Sequence, residues 1–350
     1  MNQFDDAITF AQSHEMPWPR DPAADPARWG VHHNDPPPFN RLRGPVHKRG
    51  PQSGVIWIRG KEVAAWGEPD FADQTFSVAK TYLALLAGIA QERGLLDIGE
   101  RVSERLPNIG FDSEHNRTIT WEHLLTQTSE WEGECFGMPD WVEHNRVVPR
   151  DPNPPQGKKG EKRRLREPGT YWEYNDVRIN QLSLALLQLF RRPLPEVFVE
   201  EVLRPLAGGR DFRWEGYGDS WVVIDGERMP SVPGGTHWGG GVSISARDQA
   251  RIGQLMLNDG IDHGRQIIPP AWVKRMQLPN TIAPFYGLLT WLNRDGGMYD
   301  DASRASWFMS GAGGNSVWID PDNEMVVVSR WLEGTHSAGF VTRVLKALQA

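Results

Sequence analysis

Phe76-Ser77-Val78-Ala79-Lys80-Thr81-Tyr82-Leu83-Ala84-Leu85-Leu86-Ala87-Gly88-Ile89 is apolar on nearly every side once its first turn is passed. A helix with no polar face must lie inside the molecule. Its first turn then carries the only polar pair such a helix buries, Ser77 and Lys80. Residues three apart share a helix face on adjacent turns, so the hydroxyl and the amine are neighbours. A serine hydroxyl is inert at its free pKa and needs a base, and an amine serves only where its surroundings keep it neutral at some stage. The first N–H groups of a helix have no intrahelical acceptor, and that of Ser77 would be available to an oxyanion. Alone, the pair is equally what a capped helix with a snorkelling lysine would show.

Working outward, Val55 to Gly67 (VIWIRG and KEVAAWG) reads as a β-hairpin turning at Gly60. The C-terminal end returns to strands, Ser306 to Gly311 and then NSVWID and MVVVSRW about the turn Pro321-Asp322-Asn323-Glu324, before a last helix in GFVTRVLKAL. Between them lie helical pieces such as TWEHLLTQTSE and INQLSLALLQLF. This order predicts an α/β (α+β) fold, with an antiparallel sheet built from both chain ends, flanked by helices and interrupted by a mostly helical subdomain. The expected division is 51–75 with 243–350 for the sheet part and 76–242 for the helical part with its active-site loops. Residues 1–50, dense in Pro and charge (DPAADPARW, NDPPPFNRLRGP), are expected as an extended arm without regular elements. The basic loop from Pro149 to Pro168 (GKKGEKRRLRE) reads as a solvated surface loop.

Other motifs stand in a fixed order with Ser77-Val78-Ala79-Lys80. They are Ile119 to Trp131 (ITWEHLLTQTSEW), Pro168-Gly169-Thr170-Tyr171-Trp172-Glu173-Tyr174-Asn175-Asp176, Gly239-Gly240-Gly241-Val242-Ser243-Ile244-Ser245-Ala246-Arg247-Asp248, and Met309-Ser310-Gly311-Ala312-Gly313-Gly314. In order and spacing, from about Val55 to about Trp331, the chain resembles the serine β-lactamase and penicillin-binding superfamily. Its class C-like branch, with family esterases and 6-aminohexanoate-dimer hydrolases, is the closer likeness. The resemblance implies a β-lactamase/transpeptidase-like fold and hydrolysis of an ester or amide through an acyl-serine. Ser77 would be the nucleophile, and Lys80 with Tyr174 would move its proton. The N–H groups of Ser77 and Ala312 would form the oxyanion hole. Ser310 would join the proton network or cap the strand end, and Gly311 completes that motif.

Two departures from the family pattern matter. Asp176 stands where the pattern has Asn; it would be either a loop carboxylate in water or a partner of Lys80, and a carboxylate turned toward Lys80 would favour its ammonium form. Met309 replaces the cation that in β-lactamases helps hold the antibiotic carboxylate, so an esterase or amidase is expected over a β-lactamase. A non-turnover homologue that traps an acyl group or binds a ligand is the alternative, though it would not need Ser77, Lys80 and Tyr174 together. His237, in Gly234-Gly235-Thr236-His237-Trp238-Gly239, is expected at the pocket rim, and Trp131, Trp141 and Trp172 at its mouth.

Composition narrows the partners. Acidic residues number 45 against 38 basic ones, for a formal charge of −7, and no basic stripe offers itself to a nucleic acid. Cys135 is the single cysteine, which excludes an internal disulfide and a CxxC site, and a thiol dyad with His123 or His144 is disfavoured. The ten histidines show no metal spacing, so neither metal nor cofactor is expected. The start, MNQFDDAITFAQSHEMPWPR, has no signal-peptide pattern and no stretch would span a membrane. A cytoplasmic enzyme acting on a small-molecule ester or amide is the expectation.

Overall fold

The computed structural model describes residues 2–294 and 297–349. Six antiparallel strands form the central sheet: β1 (Ser53–Ile58), β2 (Lys61–Trp66), β3 (Trp291–Leu292), β4 (Trp307–Gly311), β5 (Asn315–Asp320) and β6 (Met325–Arg330). Their order is β3-β4-β5-β6-β1-β2, so β1 near the start of the chain pairs with β6 near its end, Val55 opposite Val328. The expected sheet from both chain ends is present. The edge strand β3 carries no alternation in sequence and is legible only through its pairing with β4.

Alternation along the strands splits the sheet into two faces. Val317 and Val326 meet Gly253 in the helix Ala246–Leu257, while Trp318 and Val327 face Phe340 and Val341 of the terminal helix Ser337–Leu348. The helix Val78–Glu92 is buried over residues 78–90, as its all-round apolar sequence requires. Gly88 inside it lets an indole lie flat on the backbone: a Cβ there would stand 2.4 Å from Trp272 Cδ1, and Trp272 Nε1 donates to Ala84 O at 2.9 Å.

Two expectations are corrected. Residues 1–50 are not an arm without regular structure, because Asp5–Ser13 is a helix whose Ala7 and Ala11 are buried. The amphipathic spacing of Phe4, Ala7 and Ala11 pays for this short helix by burial against the body. The arm beyond it wraps the molecule. The basic loop is not simply solvated either, for Arg163 is inserted between Glu130 and Glu173 with side-chain exposure of only 2%. Burial of those carboxylates requires a cation, and the loop supplies it. Among the described residues no helix is long and apolar enough to cross a membrane.

Candidate active site

Ser77 occupies the N-cap position of the buried helix without its side chain capping it, and Phe76 before it has φ +52°. A bulky residue in the left-handed region is strained, and strain of this kind persists only where the surroundings over-determine it. Here an aromatic cluster does so. The Phe76 ring lies 5.4 Å from Trp18, 5.6 Å from Trp29 and 6.1 Å from Trp331, centroid to centroid. Trp18 and Trp29 belong to the N-terminal arm. The resulting turn lifts Ser77 into a cavity of about 430 Å³.

Lys80 Nζ donates to Ser77 Oγ at 2.8 Å, and Lys80 is 1% exposed. Tyr174 lines the same cavity as Ser77, with its ring centroid 4.9 Å from Lys80 Nζ. Trp291 at 5.5 Å and Tyr286 at 6.3 Å fix that ring, and Trp172 packs behind it at 6.3 Å. Burial, then the neighbouring Tyr174, pushes the Tyr286 hydroxyl well above its usual range, so it stays neutral. The strand end brings Ser310, Gly311 and Ala312 to the cavity wall. A Cβ on Gly311 would stand 2.2 Å from Thr75 O and 3.0 Å from the Ser77 nitrogen, which is why this crossing needs glycine.

The remaining motifs are supports. Gln127 Oε1 accepts from Asn175 N at 3.1 Å and Gln127 O from Glu173 N at 3.0 Å, tying the Ile119–Trp131 segment to the Tyr174 loop. Asn175 caps the helix Asp176–Phe190 by accepting from Val177 N and Arg178 N. Ser245 caps the helix Ala246–Leu257, accepting from Asp248 N at 3.0 Å.

Asp176 is buried and forms an ion pair with Lys80 through Oδ1; its Oδ2 accepts from Arg146 Nη1 at 2.7 Å and contacts His237 Nδ1 at 2.9 Å. Burial works to raise this carboxyl, but Lys80, Arg146 and then His237 outweigh it and hold it well below the usual carboxylate range. Glu143, fully buried, pairs with Arg146 and with Lys159 at 2.9 Å. Burial again opposes its charge, and Arg146, Lys159 and His237 overcome that and hold it at about 2.

Several expected positions differ. Met309 lies between Phe308 and Ser310, which both face the cavity, so alternation turns its side chain to the opposite face, where it is fully buried. It therefore cannot stand in for a substrate-facing cation. Among the described residues, Arg146 is the cation that lines the cavity. His237 is not at the rim but sealed at 4% exposure beneath the site, between two carboxylates. Trp131 is buried with Nε1 donating to Gly110 O, Trp141 packs on Phe39, and Trp172 sits behind Tyr174; none of the three lines the cavity. Burial pushes the Cys135 thiol up to about 12, which suits no nucleophile.

Sequence reasoning passed over Arg146, Glu143, Lys159, Asp35 and Gly235. A Cβ on Gly235 would stand 3.2 Å from Lys80 Nζ and 3.4 Å from Ser77 Oγ, so this glycine keeps space open above the pair. Its signal was the Gly-Gly pair before Thr236. Glu143 ends the short 3-10 helix Asp140–Glu143 and the others lie in loops, none with a periodicity to betray it. Donor atoms of Asp35, Glu143 and His237 lie within 4.8 Å of one another. Lys159 Nζ bonds both Asp35 and Glu143, so an ammonium holds the place a metal ion would take.

Among curated proteins, 6-aminohexanoate-dimer hydrolase of Paenarthrobacter ureafaciens is 26% identical over 127 residues, 32% of this chain and 31% of that relative's length. The chain thus matches less than a third of it. A penicillin-binding protein homologue from Caulobacter crescentus superposes with TM-score 0.63 at 16% identity, covering 99% of this chain and 98% of that one. A family VIII carboxylesterase does so with TM-score 0.61 at 17% identity, covering 85% and 91%. These likenesses establish the fold. Residues 52–329 match the family model described as Beta-lactamase, the span that holds Ser77, Lys80, Tyr174 and the strand-end turn, and the chain belongs to that family.

Proposed function

We propose that this protein is a serine hydrolase that cleaves a small ester or amide through an acyl-serine at Ser77. The observation that carries the reading is the 2.8 Å hydrogen bond from Lys80 Nζ to Ser77 Oγ at the wall of the cavity. The family and the esterase and amide-hydrolase names among its relatives support it.

In this reading Ser77 Oγ attacks the carbonyl carbon while its proton passes to the Lys80 and Tyr174 pair. The oxyanion is received by the N–H groups of Ser77 and Ala312. Collapse breaks the bond to the leaving alcohol or amine, which takes the proton. A water then repeats the sequence on the acyl-serine and frees the acid. The cavity favours a neutral, largely apolar acyl group, since Trp291, Met298, Phe308 and Trp318 line it and Arg146 Nη1 is already taken by Asp176 and Glu143. A short neutral ester is therefore expected to exceed a cephalosporin in kcat/KM.

Intact-protein mass spectrometry with a fluorophosphonate probe tests the nucleophile. The wild type should gain one adduct and Ser77→Ala none, with the fold kept; labelling that persists would place the nucleophile elsewhere. A chromogenic short-chain ester then separates turnover from a persistent adduct, and the latter would make the protein an acyl trap.

A further inference from the structure

His237 contacts two carboxylates at once, Nδ1 at 2.9 Å from Asp176 Oδ2 and Nε2 at 2.9 Å from Asp35 Oδ2, and it is 4% exposed. A neutral imidazole has one N–H and one bare lone pair, so one of these contacts would set a lone pair against an anionic oxygen. The imidazolium donates at both nitrogens. Asp35 lies in the N-terminal arm, outside the stretch that matches the family model, and is fixed by Trp238 Nε1 at 2.6 Å and by Lys159.

We propose that His237, kept as an imidazolium by Asp35 of the arm, is a positioning residue that offsets the field of Asp176 on Lys80 and so equips Lys80 to accept the Ser77 proton. The proposal rests on the acyl-serine reading above. Charge balance supports it. Three buried carboxylates, Asp35, Glu143 and Asp176, face Arg146, Lys159, His237 and Lys80. With His237 charged the network is neutral once Lys80 has no proton. With His237 neutral, the same state would leave one buried negative charge uncompensated, a costly arrangement in a low dielectric.

Among the described residues, no other neighbour upsets this count. His32 is pushed down to about 4 by burial first and then by His33 and His237, so it is neutral at working pH. Burial raises the Tyr217 and Tyr286 hydroxyls, which also stay neutral. The Tyr174 ring offers its face to Lys80 at 4.9 Å and to Arg146 at 5.0 Å. For His237 itself, burial opposes the charge, but Glu143, Asp176 and Asp35 outweigh it and raise its pKa.

Nitrogen-15 NMR of the histidine-labelled wild-type chain reads the ring directly. The His237 signal is assigned by its loss in His237→Gln or, should that variant not fold, by its shift in Asp35→Asn. Both ring nitrogens should carry protons at pH 7, and a neutral His237 there would overturn the proposal. In Asp35→Asn the ring should lose its proton at least about one pH unit lower; an unchanged titration would remove the arm from the argument. The rate of fluorophosphonate labelling gives the second readout. Its acid limb should move up by about one pH unit in folded His237→Gln, because Asp176 then acts on Lys80 unopposed. A limb that stays in place would show a merely structural histidine. A wild type that never labels would instead sink the acyl-serine reading, with the ring charge still measured.

Discussion

Asp176 touches three cations, and its replacement has two separable effects. Asp176→Asn leaves Lys80, Arg146 and His237 without a shared counter-charge, and breaking a buried ion pair from one side costs about 3–5 kcal/mol. Urea unfolding at pH 7 should show a loss of that size. The same change removes a negative charge beside Lys80, so the acid limb of kcat/KM for a neutral ester should move to lower pH, opposite to His237→Gln. An unchanged limb would mean that Asp176 is electrically idle in catalysis. Lys80→Ala and Tyr174→Phe should each lower kcat by at least about 10²-fold, the scale for loss of a positioned acid or base. Steady-state kinetics decides, and wild-type turnover in either variant removes that residue from the mechanism.

At the scale of elements, the strand β4 and the turn into the buried helix fit together by alternation and close approach. Since Met309 faces the core, Met309→Lys should not create a carboxylate site; it buries an unpaired ammonium, and thermal unfolding should reveal severe destabilisation or failure to fold. A well-folded variant with a new preference for anionic esters would contradict the strand orientation. The turn at Phe76 is held by Trp18, Trp29 and Trp331 from the opposite side. Trp29→Ala should cost about 3–5 kcal/mol, the usual range for truncating a buried aromatic, and should also slow fluorophosphonate labelling, because Phe76 is then free to relax from its left-handed conformation. Loss of stability with unaltered labelling would show that the turn holds itself.

For the whole molecule, two buried networks set the pH range of stability. Glu143 at about 2 and Glu130 at about 2 are both lowered from 4.5. For Glu130, burial opposes the charge, and Arg178 and Arg163 outweigh it. A folded pKa below the unfolded one stabilises fully above about 4.5 and is lost as pH falls through that window toward 2. Stability measured by urea midpoint should therefore drop between pH 4.5 and 2, by an order of a few kcal/mol. His237 has the opposite sign: its raised pKa stabilises fully below 6.5 and fades as pH rises through its folded value. A midpoint flat across the acid window would mean that these carboxylates are solvated.

The sequence by itself determined the buried helix, the hairpin and the strands at both ends, because burial periodicity is local and strong, and it placed Ser77 beside Lys80 because three residues on a helix leave no other arrangement. It also ordered the motifs that carry the family likeness. What only the tertiary structure decided was which side chains meet beneath Ser77. Asp35, Lys159 and His237 come from three separate, aperiodic segments, and Glu143 with Arg146 from a fourth. No local propensity brings them together; they are held by the need of each buried charge for a partner, a constraint that exists only once the chain has closed around them.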